Sequence, residues 1–536
     1  MNVEKERILF MKRKIVSIIT LTMLLTSMLM FAFHVQPIRA QAEGTIYIAG
    51  DGSINPPTAP ISTADNITYT LTDNIISDIN WNPVLIVEKN NTVIDGSGFA
   101  VENLNPLSHY GITLSMRSNV TIKNMSIAGC YYGIYLHDGT SNVTIQNTRV
   151  EASGAGIWLS ASSNNSVTGN TVIAGGSYGI WLSDYANFNS ITGNTITNSR
   201  FCIDLSPHCY NNIISRNIVA NSTFGIGLGY SSNNILSGNT IANNSAYGIG
   251  LYSSNYTSVN GNTFTDSGLY VWSSYSNVVE NNTVNGGPLV YLEGVADQSV
   301  EDAGQVVLVR CDRITVEGLN LYRASYGIEL WETDDSTISG NNITANSYGI
   351  GLYYSSNSSI DGNNITANGL SGVGLSFSSG NSISGNNIAN SHYGINLASN
   401  YGVYTYNNSI SGNNITFNDC GIWVQNSSGN RLYHNNIIFN IQQVSISPFG
   451  YANAWDDGYP SGGNYWSDYN GNDADHDGIG DTAYVIDADN IDRYPLMTQY
   501  DVIPEFSYFL IELLFFTATT LAFTIYRRKH HSNKAT

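Results

Sequence analysis

A phrase of the form Gly-Ile-x-Leu, or a close variant, recurs in this chain at a fixed interval: Gly133, Gly156, Gly179, Cys202, Gly225 and Gly248 each lie 23 residues after the last. A fixed period of roughly 20 to 50 residues marks a repeat protein whose units bury an apolar face only by stacking on neighbours. Ile134 and Leu136, Ile157 and Leu159, and Ile180 and Leu182 alternate with one residue between them. That is the period of a strand, not the three- and four-residue spacing of a helix.

Each unit carries a second phrase, such as Ser166-Val-Thr-Gly-Asn-Thr-Val172, Ser190-Ile-Thr-Gly-Asn-Thr-Ile196 and Ser258-Val-Asn-Gly-Asn-Thr-Phe264, with room for two more short strands. Val167, Ile191, Ile214, Leu236 and Val259 line one inner face; Val172, Ile196, Val219, Ile241 and Phe264 line another; Ile134 and its successors line the third. Between the last two strands stands an asparagine in every coil (Asn170, Asn194, Asn217, Asn239, Asn262), where a tight turn wants a residue tolerant of left-handed dihedrals, and stacking turns these into an amide ladder. The prediction is an all-β right-handed parallel β-helix, about 22 to 24 residues and three strands per coil, with coils about 4.8 Å apart. A β-propeller, the runner-up, needs blades of roughly 40 residues or more.

The interval falters after Gly268 and resumes at Gly327, Gly349, Gly372, Gly394 and Gly421, with spacings of 22, 23, 22 and 27. The stretch between reads as longer coils, since Val306-Val-Leu-Val309 and Ile314-Thr-Val316 still have strand character. The long last step places an insertion at Asn400 to Tyr406, expected to bulge from a corner.

The ends frame this solenoid. Lys12-Arg-Lys14, an apolar run from Ile15 to Phe33 and Ala40-Gln-Ala42 read as a secretory signal helix over 1–42. An N-terminal cap and first coils follow over 43–106, repeats over 107–445 and an Asp-rich segment over 446–500. Residues 501–536 read as a membrane anchor: an apolar run from Ser507 to Tyr526 long enough to span a bilayer, interrupted by Glu512, then Arg527-Arg-Lys529 on the cytoplasmic side. A net charge of −20 argues against nucleic acid as a partner. Five cysteines (Cys130, Cys202, Cys209, Cys311, Cys420) show no metal spacing, although Cys209 stands beside His208, and Asn-x-Ser/Thr sequons such as Asn66, Asn119, Asn142, Asn255, Asn342 and Asn414 mark potential glycosylation.

Two regions carry candidate chemistry. Asp473, Asp475, Asp477 and Asp481 fall at positions 1, 3, 5 and 9 of a calcium-type loop, with Gly478 at 6 and the Ile479 carbonyl at 7. Position 12 is Tyr484 instead of Glu, so Asp487 or Asp489 would complete the shell of a structural calcium that clamps the end of the solenoid. On the coils, the outward residue of Gly-Ile-x-Leu reads Tyr135, Trp158, Trp181 and Asp204, then fades to Gly227 and Gly250. A column of exposed rings suits the C–H face of a sugar; it would equally stabilise neighbouring strands, and the sequence does not choose. Asp138, Asp184 and Asp204 are the candidate catalytic carboxylates if the chain cleaves polysaccharide, with Asp138 and Asp184 two coils or about 10 Å apart. Glu329, Glu332, Asp334 and Asp335, beside Trp331, read as solvated acids.

The repeats Ser-Ile-Ser-Gly-Asn-Asn-Ile, the mid-chain Gly287-Pro-Leu-Val-Tyr-Leu-Glu293, and Gly463-Asn-Tyr-Trp-Ser-Asp468 with Asp473 to Asp481 and Tyr494-Pro-Leu496 resemble the NosD-type β-helix proteins over about residues 44 to 497. That family sits in a wider group of carbohydrate-binding proteins and sugar hydrolases. Pro504-Glu-Phe506 before the span resembles a PEF-type archaeal sorting signal, which implies a cell-surface protein processed by an archaeosortase. NosD itself is named for copper. Copper is not carried over, because His109, His137, His208, His392, His434 and His476 are scattered and Met116, Met125 and Met497 form no Met-rich pattern. The expectation is a surface-anchored β-helix, its signal peptide cleaved, that binds a polysaccharide or surface glycan or mediates adhesion. Polysaccharide hydrolysis or elimination is the enzymatic alternative and copper handling the third.

Overall fold

The computed structural model describes residues 44–105, 109–399, 405–447 and 451–501. The signal segment, most of the Asn400 to Tyr406 insertion and the membrane anchor with its sorting signal lie outside the described residues. No helix among the described residues is long and apolar enough to cross a membrane.

The alternation builds the predicted solenoid. A typical coil places Tyr178–Ser183 on the first face, Ser190–Thr192 on the second and Thr195–Thr197 on the third, each pairing in parallel with its counterpart one coil on. Register is exact to the repeat, so Ile157, Ile180 and Ile203 stack, as do Leu159, Leu182 and Leu205. These inward side chains are fully buried, each contributing about 1.5–3 kcal/mol.

The asparagine between the second and third faces does a different job from the one its residue type suggested. It is the preceding residue that takes the left-handed conformation, Gly193 at φ 66° and Arg216 at φ 54°. Asn194 itself is buried and donates from Nδ2 to Asn217 Oδ1 at 3.0 Å and to the Val167 carbonyl at 2.8 Å. Its amide satisfies backbone that the turn removes from the sheet ladder. A second such ladder, Asn165, Asn189, Asn212 and Asn234, runs along the corner before the second face.

The faltering middle is a change of stack. After Leu269–Trp272, Val278–Glu280 and Thr283–Val284, strand Gly287–Glu293 turns back antiparallel to Thr283–Val284. It then founds a second parallel stack with Gln305–Val309 and Tyr326–Trp331. Leu289 pairs with Gln305, so the coil here is shorter, not longer, than the repeat. Two core clusters result. Val306 and Leu308 point into the second, whereas Val307, Val309 and Trp331 turn outward and close the end of the first. Burial on both faces explains the uninterrupted apolar run, which a strand with one wet face does not show.

The second stack continues to Gln442–Ile446. At the insertion, Thr405–Tyr406 forms a short strand paired with Ser427–Ser428, so that end of the expected bulge is part of a sheet. The acidic C-terminal segment closes the asparagine ladders: Asn453 N donates to Asn490 Oδ1 at 3.0 Å and Asn464 N to Asp492 Oδ2 at 2.7 Å. Trp455 and Trp466 are buried beneath and donate their indole N–H groups to the same two side chains.

Candidate functional site

Tyr135, Trp158 and Trp181 do stack, with ring centroids 4.3 and 4.5 Å apart. Stacking covers the ring faces, so these residues are half-buried and offer solvent mainly their edges. Nor does the column fade at Gly227 and Gly250: it changes lane, to the residue just before each repeat glycine. From Trp181 it passes to Tyr178, Phe201, Phe224 and Tyr247, then returns to the outward position at Tyr270, the register partner of Gly250, with centroids 4.5 to 6.0 Å apart. The glycines make room for it: a Cβ on Gly250 would lie 2.6 Å from the Tyr247 ring. The ladder then crosses to the second stack through Tyr326, 5.4 Å from Tyr270, and Tyr348.

The three candidate carboxylates border the ladder in different states. Asp138 is exposed and accepts from Ser115 Oγ at 3.1 Å and pairs with His137 Nδ1 at 2.7 Å, and these bonds hold it below the usual carboxylate range. Exposed Asp184 accepts from Ser160 and Ser183, and Ser183 Oγ in turn accepts from the Trp158 indole at 2.9 Å. Asp204, expected on the surface, is buried, because the lane change lays Phe201 and Tyr247 around it. Its carboxyl accepts from Ser206 Oγ at 2.5 Å, and burial pushes it up to about 6.

Exposed rings lie at the adjoining corner, that of Tyr185 stacked on His208 with centroids 5.1 Å apart. Tyr185, Phe188, Tyr230 and Tyr256 are 58 to 65% exposed, and all four adopt left-handed backbone conformations, φ 52° to 65°. Bulky side chains rarely occupy that region; the position of Phe188 and Tyr256 is held in other coils by Asn164, Asn211 and Asn233, and that of Tyr185 and Tyr230 by Ala161, His208 and Ser253. Corner residues fall outside the strand alternation, so the signal that could have found them is an aromatic where the repeat writes Asn or Ser.

Beside Trp331, the acids are not uniformly solvated. Glu329 is completely buried between the stacks, and Trp331 with it. Glu332 accepts from Tyr275 Oη at 2.6 Å and from Arg310 Nε at 2.7 Å, with the Arg310 guanidinium 3.5 Å from the Tyr275 ring centre.

In the C-terminal segment the carboxylate oxygens of Asp473, Asp475 and Asp477 come within 4.8 Å of one another. Asp473 accepts from the backbone N–H of Asp477 at 3.2 Å and of Gly478 at 3.0 Å, Gly478 having φ 89°. Asp481 Oδ2 accepts from Ala474 N at 2.8 Å, and Ile479 bridges to Leu496. Three of the four expected carboxylates thus converge, Asp481 standing outside that group, and such oxygen donors are of the hard kind that calcium takes. Copper wants thiolate, thioether or clustered imidazole. Here all five cysteines are buried and unpaired, and burial pushes the Cys130 and Cys209 thiols up to about 12. His208 bonds Tyr210 at 2.9 Å, and His137 and His392 pair with aspartates. The described residues do not fit a copper centre.

Family models agree with the architecture. The family described as "Periplasmic copper-binding protein (NosD)" matches residues 184–293 and 289–471, together more than half of the chain, and "Right handed beta helix region" matches 61–219. No curated protein matches the sequence. Among solved structures, the Dettilon tailspike protein gp208 is 15% identical, with 61% of this chain and 59% of that chain covered and a TM-score of 0.36. The A-module of mannuronan C-5 epimerase AlgE4 from Azotobacter vinelandii is also 15% identical, with 70% and 91% covered and a TM-score of 0.25. A variant of the periplasmic alginate epimerase AlgG is 14% identical, with 76% and 85% covered and a TM-score of 0.28. The chain thus spans less than two thirds of the tailspike's length. These likenesses are too distant to carry a functional argument.

Proposed function

The chain belongs to the NosD family of right-handed β-helix proteins, and we propose that this member is a surface-anchored extracellular protein that binds a polysaccharide along its first stack of coils. One observation carries the reading. The rings of Tyr185, Phe188, Tyr230 and Tyr256 are held exposed, in a backbone conformation that disfavours them, on the corner that follows the first-face strands, with Tyr185 directly after Asp184 in the chain. Flat apolar faces with hydrogen-bonding neighbours suit a sugar chain, the rings taking its C–H faces and the carboxylates its hydroxyls. Polysaccharide pull-down with Tyr185→Ala/Tyr230→Ala and with Trp158→Ala/Trp181→Ala tests it. A loss of about tenfold or more in affinity is expected for the corner pair, and unchanged binding in both variants sinks the proposal.

Cleavage of the bound polymer is the second reading. It rests on the carboxylates that border the ladder, exposed Asp138 and Asp184 with Asp204 buried beside them, since glycosidic cleavage takes a pair of carboxyl groups. A reducing-sugar assay separates binding from cleavage. For the C-terminal loop we propose a structural calcium held by Asp473, Asp475, Asp477, Asp481 and the Ile479 carbonyl.

A further inference from the structure

The last coil of the first stack ends on a raw edge. Leu269 and Val271, alternate residues of Leu269–Trp272, direct their backbone groups toward the second stack, but no strand of that stack pairs with them. Side chains take the place of a strand. The Gln305 amide accepts from Leu269 N at 2.9 Å and donates to the Leu269 carbonyl at 2.7 Å, completing both halves of a sheet rung. Glu329 occupies the next rung, its two oxygens 3.3 and 3.2 Å from Val271 N.

We propose that Glu329 is a protonated carboxylic acid that completes this second rung, accepting from Val271 N and donating to the Val271 carbonyl, and that its ionisation unlatches the two stacks. A carboxylate can only accept and would leave that carbonyl without the donor Gln305 gives to Leu269. It would also bring a bare charge into the joint. The ionisable groups that face it are phenols: Tyr252 and Tyr270 from the first stack, and Tyr291, Tyr326 and Tyr353 from the second. On Gln305–Val309 its register partner is Val307. Of the ion pairs at the joint, Arg310 with Glu332 is engaged at Tyr275, and Arg323 of the second stack pairs with Asp266 of the first. Burial accordingly holds the Glu329 carboxyl well above the ordinary range. A carboxyl raised in the folded state contributes stability that is full below the unfolded chain's titration and is lost as pH rises through the folded value. The latch is therefore closed in acid and opens toward alkaline pH.

Trp272 and Trp331, 4.7 Å apart across the joint, supply a fluorescence reporter. Thermal unfolding of the full chain, followed by tryptophan emission from mildly acidic to alkaline pH, should show a midpoint that falls as pH rises. Glu329→Gln keeps both bonds without a charge, so its midpoint should lack that fall and exceed the parent's at alkaline pH. The same pH profile in parent and variant overturns the proposal. If the variant does not fold, difference infrared spectra of the parent decide: a protonated-carboxyl band at neutral pH that bleaches as the joint's emission changes supports the latch, and its absence refutes it.

Discussion

Single residues in this fold are judged by the room the next coil leaves them. An ideal Cβ on Gly225 would sit 2.2 Å from the carbonyl oxygen of Gly248, a backbone atom that cannot move without shifting the coil. At Gly374 the nearest atom is 4.0 Å away. Gly225→Ala is therefore expected to destabilise by about 3 kcal/mol, whereas Gly374→Ala should raise stability by about 0.5 kcal/mol by restricting the unfolded chain. Urea denaturation of the two variants checks the contrast, which equal effects would contradict. Such distinctions are hidden in the sequence, where both glycines belong to the same phrase. The asparagine ladder was legible because one residue type recurs at one position, but its backbone conformation was not: the turn's left-handed burden falls on Gly193 or Arg216, and only geometry separates the two roles.

At the scale of elements, alternation revealed every face of the coil, because inward and outward residues differ in polarity wherever one side is wet. It failed where both sides are dry. Gln305–Val309 is buried throughout, so its pattern showed a strand without showing that the strand faces two cores. Glu329 looked like one acid among four for the same reason, since the first stack that buries it lies elsewhere in the chain. The aromatic lane change is hidden from strand alternation because the residue before the repeat glycine lies outside the Gly-Ile-x-Leu phrase. The Asp473 to Asp481 loop is an element whose spacing alone suggested its wrap. Isothermal calorimetry should detect calcium binding, and Asp473→Asn with Asp477→Asn should weaken it by at least about tenfold; absence of heat in the parent chain would remove the metal from the account.

For the whole molecule, the joint between stacks divides a structure that the repeat made look continuous. A solenoid's stability is close to a sum of coil and neighbour terms, and here one neighbour term is made by side chains instead of a ladder. Gln305→Ala would leave the Leu269 N–H and carbonyl unpaired in a buried place, at about 1–3 kcal/mol for each group. Calorimetry is expected to resolve two transitions in this variant, one for each core cluster, against closer coupling in the parent; a single unchanged transition would show that the joint does not carry the coupling. The same feature bears on biosynthesis. A ribosome delivers the first stack complete at Val284, yet the residues that cover its last coil, Gln305 through Trp331, emerge later. During that interval the newborn stack presents a bare strand edge to whatever is nearby. The length of chain still to be made, from Val284 to Trp331, then sets how long that edge stays open to mispairing with its siblings.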